Sequence, residues 1–334
     1  MVRANPIPQP TKPLRLNKYF SAPAFLDQIR KDFGKIPDHR SSSQQFSLPD
    51  VLMSGLAIFG LQYPSLLKFD EQRNEERVRA NWRNLYGVIQ APCDTQLRTV
   101  LDAVSPEELR WPFISIHKRL QSQKGLEEYR CLGGFLVTLD GTGQFASCSL
   151  SCPACCEKHH RNGEIEYYHQ LWGAAIVHPT KSQVLPLFPA AITHPEGATN
   201  NDCESNASKR LLAQLREAFP HLPMIIVEDS LSAHGPHIKL LKELNFSYLI
   251  VVKPDPHEAL FEEVQKRLCA GQVEEFEEVG QDGVLRGYRF VNEVPLNKAH
   301  PEVLVNYLDD WEIREGKEHN FSWITDIHLL QDNV

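Results

Sequence analysis

Residues 135–140 read Phe-Leu-Val-Thr-Leu-Asp, and residues 224–229 read Met-Ile-Ile-Val-Glu-Asp. Each is a short apolar run that ends in an aspartate, which is typical of a strand buried on both faces of a sheet. Between them, residues 164–177 and 184–191 also have strand composition, and the first of these is entered through Asn162-Gly163, a strong hairpin signal. The sequence therefore predicts a sheet in the middle of the chain.

The segments around these strands predict how the sheet is built. Residues 202–218 show helical periodicity after a capping segment at 199–202, residues 236–245 predict a second helix, and residues 246–252 predict one more strand. The order of three strands, helix, strand, helix, strand predicts an α/β fold with a ribonuclease H-like mixed sheet. In that arrangement an antiparallel meander is followed by parallel strands, and helices pack on the faces.

The rest of the chain divides by its proline content and its periodicity. Four prolines within the first 20 residues interrupt any helix there, whereas the stretch that follows repeats apolar residues at helical spacing. After the predicted core, residues 258–270 predict a helix, and residues 273–326 alternate like strands with a turn at 281–283. The predicted organisation is an extended basic arm over 1–24, a helical DNA-binding domain over 25–129, the ribonuclease H-like core over 130–272 and a β-rich insertion over 273–334.

The charge is divided unevenly along the chain. The net charge is −8, but residues 1–130 carry 19 basic and 14 acidic residues, whereas residues 131–334 carry 16 basic and 29 acidic ones. Because DNA attracts cationic surfaces, the N-terminal part could contact DNA and the acidic part should not.

Hydropathy indicates where the protein is found. The longest apolar run, at 51–61, has eleven residues, whereas a membrane-spanning helix needs about 20. The first residues have no apolar signal region. We therefore expect a cytoplasmic protein without a membrane partner.

Asp140 and Asp229 end the two strands quoted above, and these strands are neighbours in the predicted topology. Their carboxylates would then lie at the same edge of the sheet, where they could bind Mg²⁺ for two-metal phosphoryl transfer. The alternative interpretation is that strand-end aspartates cap the turns or helices that follow them.

Several motifs resemble the DDE-type insertion-sequence transposases. In the predicted core they are Leu139-Asp-Gly-Thr-Gly143, Tyr167-Tyr-His-Gln170 after Asn162-Gly163, Asn201-Asp-Cys-Glu-Ser-Asn-Ala207 and Val227-Glu-Asp-Ser230. In the helical region they are Ile36-Pro-Asp-His-Arg40, Tyr63-Pro-Ser-Leu66 and Pro92-Cys-Asp-Thr-Gln96. The resemblance covers residues 30 to 330 and rests on the order and spacing of the motifs together.

The resemblance implies a DNA transposase that nicks element ends and transfers the strand into target DNA, using two Mg²⁺ or Mn²⁺ ions and acting as a homodimer in a DNA complex. Asp140 and Asp229 match its first two metal-binding aspartates. The family's third acid is a glutamate on a helix after the β insertion, and no glutamate here matches its signature. We interpret Glu204 as a helix-start charge and expect Glu228 to face the other side of the sheet from Asp229.

We therefore expect a C-terminally truncated transposase, because the chain ends at Val334 before the helix that would carry this glutamate. Without its third acid such a protein should be impaired, since the charge at the second metal is not balanced. Two alternatives therefore stay open. One is a metal-dependent nuclease on the same fold that hydrolyses DNA without joining it. The other is an inactive DNA-binding remnant that occupies element ends.

A cluster of cysteines and histidines suggests a second metal. Cys148, Cys152, Cys155 and His159 have ligand types that suit tetrahedral Zn²⁺, and they include one CxxC spacing. The second CxxC or HxxxH pair of common zinc motifs is missing, so free thiols in a surface loop are the alternative.

Basic and histidine side chains complete the candidate set. Arg73, Arg77 and Arg83, together with Arg79, lie along one predicted helix and could contact DNA phosphates, although glutamates between them also fit a solvated helix face. Lys253 follows the last core strand and is expected at the edge that carries the aspartates. We expect His237 on a helix surface and His234 in a position to orient water.

Overall fold

The computed structural model describes residues 20–40, 44–194, 201–280, 283–314 and 317–334. The chain separates into two compact units, Met1–Glu128 and Tyr129–Val334. Most of the predicted basic arm, residues 1–19, lies outside the described residues. The end of that arm is already helical, because Ser21 caps the first helix.

The described part of the first unit is helical. Its core is formed by side chains such as Val51, Phe69 and Trp82, which are almost completely buried. Ser47 caps the second helix as its sequence indicates, with its hydroxyl accepting a hydrogen bond from the backbone N–H of Asp50. The helices are α1 (Ala22–Phe33), α2 (Leu48–Gly60), α3 (Leu66–Gln72), α4 (Glu76–Tyr86), α5 (Asp94–Leu101) and α6 (Arg110–Ser122).

The second unit is a mixed α/β fold built on one open sheet. Its helices are α7 (Glu204–Ala218), α8 (Gly235–Glu243) and α9 (Glu258–Cys269). Its strands are β1 (Arg130–Cys131), β2 (Gly134–Ser147), β3 (Cys156–His159), β4 (Ile165–Val177), β5 (Leu185–Pro186), β6 (Ala190–Ile192), β7 (Met224–Glu228), β8 (Ser247–Val252), β9 (Glu274–Val279), β10 (Leu285–Pro295), β11 (Leu304–Arg314) and β12 (Lys317–Thr325).

The strand order across this sheet is β3-β4-β2-β7-β8-β12-β11-β10-β9, with β1 beside β2 and the short β5 and β6 beside β4. Strands β2, β7 and β8 pair in parallel, and the remaining pairs are antiparallel. The parallel strands lie in the centre because they bury apolar side chains on both faces, Val137 and Ile226 on one face and Leu136 and Ile225 on the other.

The predicted turn at Asn162-Gly163 joins β3 and β4 as a hairpin, in which Gly163 adopts a φ of 85° that favours glycine. The β-rich segment predicted over 273–334 forms the four strands β9 to β12. These strands extend the same sheet, since β12 pairs with β8 through Ser322 and Val252. Of the turn predicted at 281–283, residues 281 and 282 lie outside the described residues.

Helix α7 covers part of the sheet with the face that the sequence indicates: Ala207, Leu211 and Leu215 are fully buried. Its start differs from the prediction. Cys203 is the N-cap, and it makes no side-chain capping hydrogen bond. Asp202, predicted as the cap, instead forms an ion pair of 2.7 Å with Arg210, while residues 199 and 200 of the predicted capping segment lie outside the described residues.

Among the described residues, no helix combines the length and apolar character needed to cross a membrane.

Candidate functional site

Asp140 and Asp229 lie at matching positions on neighbouring parallel strands. The last residues that pair between β2 and β7 are Thr138 and Val227, so each aspartate lies two residues further along its strand direction. Asp229 follows the end of β7 as predicted, but Asp140 does not end its strand, because β2 continues to Ser147 and pairs there with β4. Neighbouring strands are about 4.8 Å apart, which brings the two backbones together at this edge of the sheet. Both aspartates are exposed.

The structure also agrees in part with the alternative interpretation, in which these aspartates cap turns. Asp229 Oδ1 accepts a hydrogen bond of 3.0 Å from the backbone N–H of Leu231 and so caps a short 3₁₀ turn. Asp140 Oδ1 accepts one of 2.8 Å from the backbone N–H of Gly141. Among the described residues, neither Oδ2 atom has a hydrogen-bond donor, so both carboxylates keep an oxygen for a ligand.

A third carboxylate, that of Glu204 at the start of α7, lies against β2 at Gly141, the residue that follows Asp140. A Cβ atom added to Gly141 would lie only 2.5 Å from Glu204 Oε1, so the glycine gives this carboxylate its place. Gln170 Nε2 on β4 donates a hydrogen bond of 2.7 Å to the same oxygen. The sequence motif Asn201–Ala207 contains Glu204, but only the fold brings it to Gly141 and to the cavity that Asp229 also lines.

Glu204 and Asp229 line one small cavity of about 50 Å³, together with Trp172, His234 and His237. A cavity of this size holds a few water-sized ligands. Trp172 is 7% exposed, and its Nε1–H is buried with no acceptor in the described part of the chain. A buried indole N–H normally has a partner, so an acceptor such as water or a phosphate oxygen is expected here.

Among the described residues, no basic side chain pairs with the three carboxylates. No lysine, arginine or histidine of the described residues lies within 4.0 Å of the carboxylate oxygens of Asp140, Glu204 or Asp229. Their oxygens also do not all lie within 4.8 Å of one another, so they line the sheet edge rather than form a closed cage. Uncompensated negative charge of this kind attracts cations.

Below this edge lies a buried pair that holds the turn after β7. His237 Nε2 and Glu228 Oε2 are 2.5 Å apart, and the Ser208 hydroxyl donates to Glu228 Oε1 over 3.3 Å. His237 is only 3% exposed, so its predicted place on the helix surface is wrong. Glu228 is buried between α7 and α8 whereas Asp229 is exposed, as strand alternation predicts.

His234, expected to orient water, caps α8 instead. Its Nδ1 accepts a hydrogen bond of 3.3 Å from the backbone N–H of His237. Burial lowers the pKa of His234, which favours the neutral ring that this hydrogen bond requires. The ring still lines the cavity beside Asp229.

The cysteine cluster gathers around a histidine that the sequence analysis missed. Cys152 Sγ and Cys155 Sγ are 3.6 Å apart, and they lie 3.4 Å and 3.5 Å from His169 Nε2. These three atoms could bind a metal ion, and in the described part of the chain no other group of three histidine, cysteine or carboxylate ligands is as compact.

Two of the four predicted zinc ligands lie elsewhere. His159 is exposed and pairs with Glu157 over 3.3 Å. Cys148 lies beside Glu164, whose carboxylate raises the pKa of the thiol. His169 meets the cysteines because of the strand register: it lies on β4 opposite Cys155, the residue that precedes β3.

The predicted DNA-contacting arginines do not share one helix. Arg73 follows α3, where its guanidinium binds Asp70 over 2.7 Å and the carbonyl oxygen of Ala91 over 3.3 Å. Its role is therefore structural. Arg77 and Arg83 are exposed on α4, and Lys253 is exposed after β8, at the same sheet edge as the aspartates.

Comparison with known proteins gives no assignment: no protein-family model matches the chain, and no curated protein matches it.

Replacement of His237 by alanine should destabilise the second unit. The change leaves Glu228 buried without its imidazole donor, at a cost of about 1–3 kcal/mol. Urea unfolding measures the loss, with the exposed His221→Ala as control. Equal effects of the two substitutions would show that the buried pair contributes nothing.

Proposed function

We propose that this chain is a metal-dependent DNA transposase, in which Asp140, Asp229 and Glu204 bind the catalytic ions. The observation that carries the proposal is the placement of Asp140 and Asp229 at matching positions on two parallel strands, without any described counter-cation. The resemblance of several motifs to DDE-type transposases supports the same reading.

The strand order also supports a ribonuclease H-like core. Strands β4, β2, β7 and β8 are neighbours, with β4 antiparallel to β2 and the other pairs parallel. The helices α7 and α8 follow in the connections before β7 and β8. This is the order of meander and parallel additions that the sequence predicts for that fold.

The donor set fits Mg²⁺ or Mn²⁺, because carboxylate oxygens are hard ligands and all three carboxylates keep an oxygen without a described protein donor. When bound, two such ions activate an attacking oxygen and stabilise the leaving oxygen of a phosphodiester. Gln170 orients Glu204 through its 2.7 Å hydrogen bond.

The reaction has two steps. Water attacks a phosphodiester at the element end and leaves a 3′-hydroxyl and a 5′-phosphate. That 3′-hydroxyl then attacks a phosphodiester of target DNA, so one P–O bond forms for each one that breaks. The exposed Arg77, Arg83 and Lys253 are candidates for phosphate contacts to double-stranded DNA, and a homodimer would hold two element ends.

Glu204 changes the expectation of an impaired enzyme. Glu204 can supply the third carboxylate, because it lies beside Gly141 and lines the cavity with Asp229. The glutamate that the transposase family carries on its later helix is then not required. We therefore propose an active protein rather than a remnant.

The first test is DNA cleavage by the full chain. We expect Mg²⁺- or Mn²⁺-dependent nicking and joining of DNA that carries the sequences flanking the gene, and no detectable product with Asp140→Asn or Asp229→Asn, because each change removes a negatively charged ligand. Asp332→Asn, an exposed aspartate away from the site, is the control.

The products separate the alternatives. Joined products support a transposase, and hydrolysis without joining supports a nuclease at the same site. Specific binding with neither product supports the DNA-binding remnant. Cleavage that survives both aspartate substitutions would contradict the proposed site.

Replacement of Glu204 by glutamine tests the third ligand. We expect cleavage to fall by at least about 100-fold and the Mg²⁺ concentration for half-maximal rate to rise, because the amide is a weaker ligand. Glu217→Gln, an exposed change on the same helix, should leave both unchanged. An unchanged Mg²⁺ dependence in the Glu204 variant would exclude it as a ligand.

A further inference from the structure

We propose that Cys152, Cys155 and His169 bind a Zn²⁺ ion that ties the loop between β2 and β3 to strand β4. This inference does not depend on the proposed function. It rests on three ligand atoms from two separate elements that converge within 3.6 Å of one another.

The distances fit the edges of a zinc tetrahedron. With Zn–S of about 2.3 Å and Zn–N of about 2.05 Å, tetrahedral angles place two sulfurs about 3.8 Å apart and a sulfur and a nitrogen about 3.6 Å apart. The observed separations are 3.6 Å between the sulfurs and 3.4 Å and 3.5 Å from each sulfur to Nε2. Three corners of the coordination shell are therefore in place.

The backbone explains the convergence. Cys156 is paired with Tyr168 in the β3–β4 hairpin, so one residue outward Cys155 stands opposite His169. A tight turn brings Cys152 back, with the backbone N–H of Cys155 donating to the carbonyl oxygen of Cys152 over 3.1 Å. The backbone N–H of Cys152 also donates to Cys155 Sγ over 3.2 Å, which fixes the position of this sulfur.

The donor set selects the ion. Two thiolates and an imidazole are soft and borderline ligands, which exclude Mg²⁺ and Ca²⁺ and suit Zn²⁺ in a tetrahedral site. A disulfide requires a sulfur separation of about 2.05 Å, and both cysteines are free at 3.6 Å. Cys155 is 4% exposed whereas Cys152 faces solvent, so the fourth position is open to water on the Cys152 side.

The proposed ion would stiffen the strand that supports the candidate active site. His169 is followed on β4 by Gln170, which holds Glu204. The loop of Ser149 to Cys155 connects β2 to β3, and both of these flanking strands pair with β4. Zinc binding thus couples folding of this loop to folding of the hairpin.

The test measures metal in the full chain, purified under reducing conditions and dialysed into metal-poor buffer. We expect about one zinc per chain in the wild type and in the Cys269→Ser and His159→Asn controls, and near zero in Cys155→Ser and His169→Asn. Co²⁺ added to chelator-stripped wild type should give the absorption of a tetrahedral thiolate complex. This second readout uses no substitution and so does not depend on how a variant folds.

Three results would overturn the proposal. The first is wild-type protein without zinc and without the Co²⁺ spectrum. The second is zinc retained by both Cys155→Ser and His169→Asn. The third is zinc lost from His159→Asn or Cys148→Ser, which would assign the ion to a different ligand set.

Discussion

The parallel hydrogen bonding between β2 and β7 is the interaction on which the rest of this unit depends. It sets Asp140 level with Asp229, each two residues beyond the last pair between β2 and β7. Asp229 begins the turn after β7, whereas Asp140 is held within β2 by its pairing with Gly173 of β4. A shift of one residue in this register would move one aspartate to the opposite face of the sheet. The apolar residues buried on both faces, such as Ile225 and Ile226 of β7, fix the register.

Helix α7 adds the next constraint. Leu211 and Leu215 anchor the helix on the sheet, and this fixes the depth at which its first residue, Glu204, approaches β2. Gly141 is the position at which the approach is sterically allowed. The buried pair of Glu228 and His237 then stabilises the turn that carries Asp229. The buried carboxylate thus has a histidine partner, whereas the exposed Asp229 has no described basic partner.

The sequence predicts most of the local structure of the second unit and both aspartates. Buried strands and amphipathic helices show a local pattern of apolar residues that predicts them without knowledge of their tertiary contacts. The hairpin at Asn162-Gly163 is likewise predicted by its turn residues. Contacts between distant elements cannot be read in this way. In the sequence, Glu204 is interpreted as a charge at the start of a helix, because no local pattern shows that its carboxylate packs over Gly141.

The zinc ligands illustrate the same limit. Thirteen residues separate Cys155 from His169, a spacing common in zinc motifs, so this signal was present in the sequence. His159 is closer along the chain but is exposed and pairs with Glu157, because register and not sequence distance decides which side chains meet. Likewise, Arg73 follows α3 rather than lying on α4, and its pairing with Asp70 is a local contact that the helical pattern conceals.

The most direct test of the central claim is a crystal structure of the full chain with Mn²⁺, located by its anomalous scattering. We expect Mn²⁺ between Asp140 of β2 and Asp229 after β7, with oxygens of both aspartates at about 2.1 Å. Mn²⁺ bound at other residues, with neither aspartate in contact, would contradict the claim that this sheet edge is a catalytic metal site.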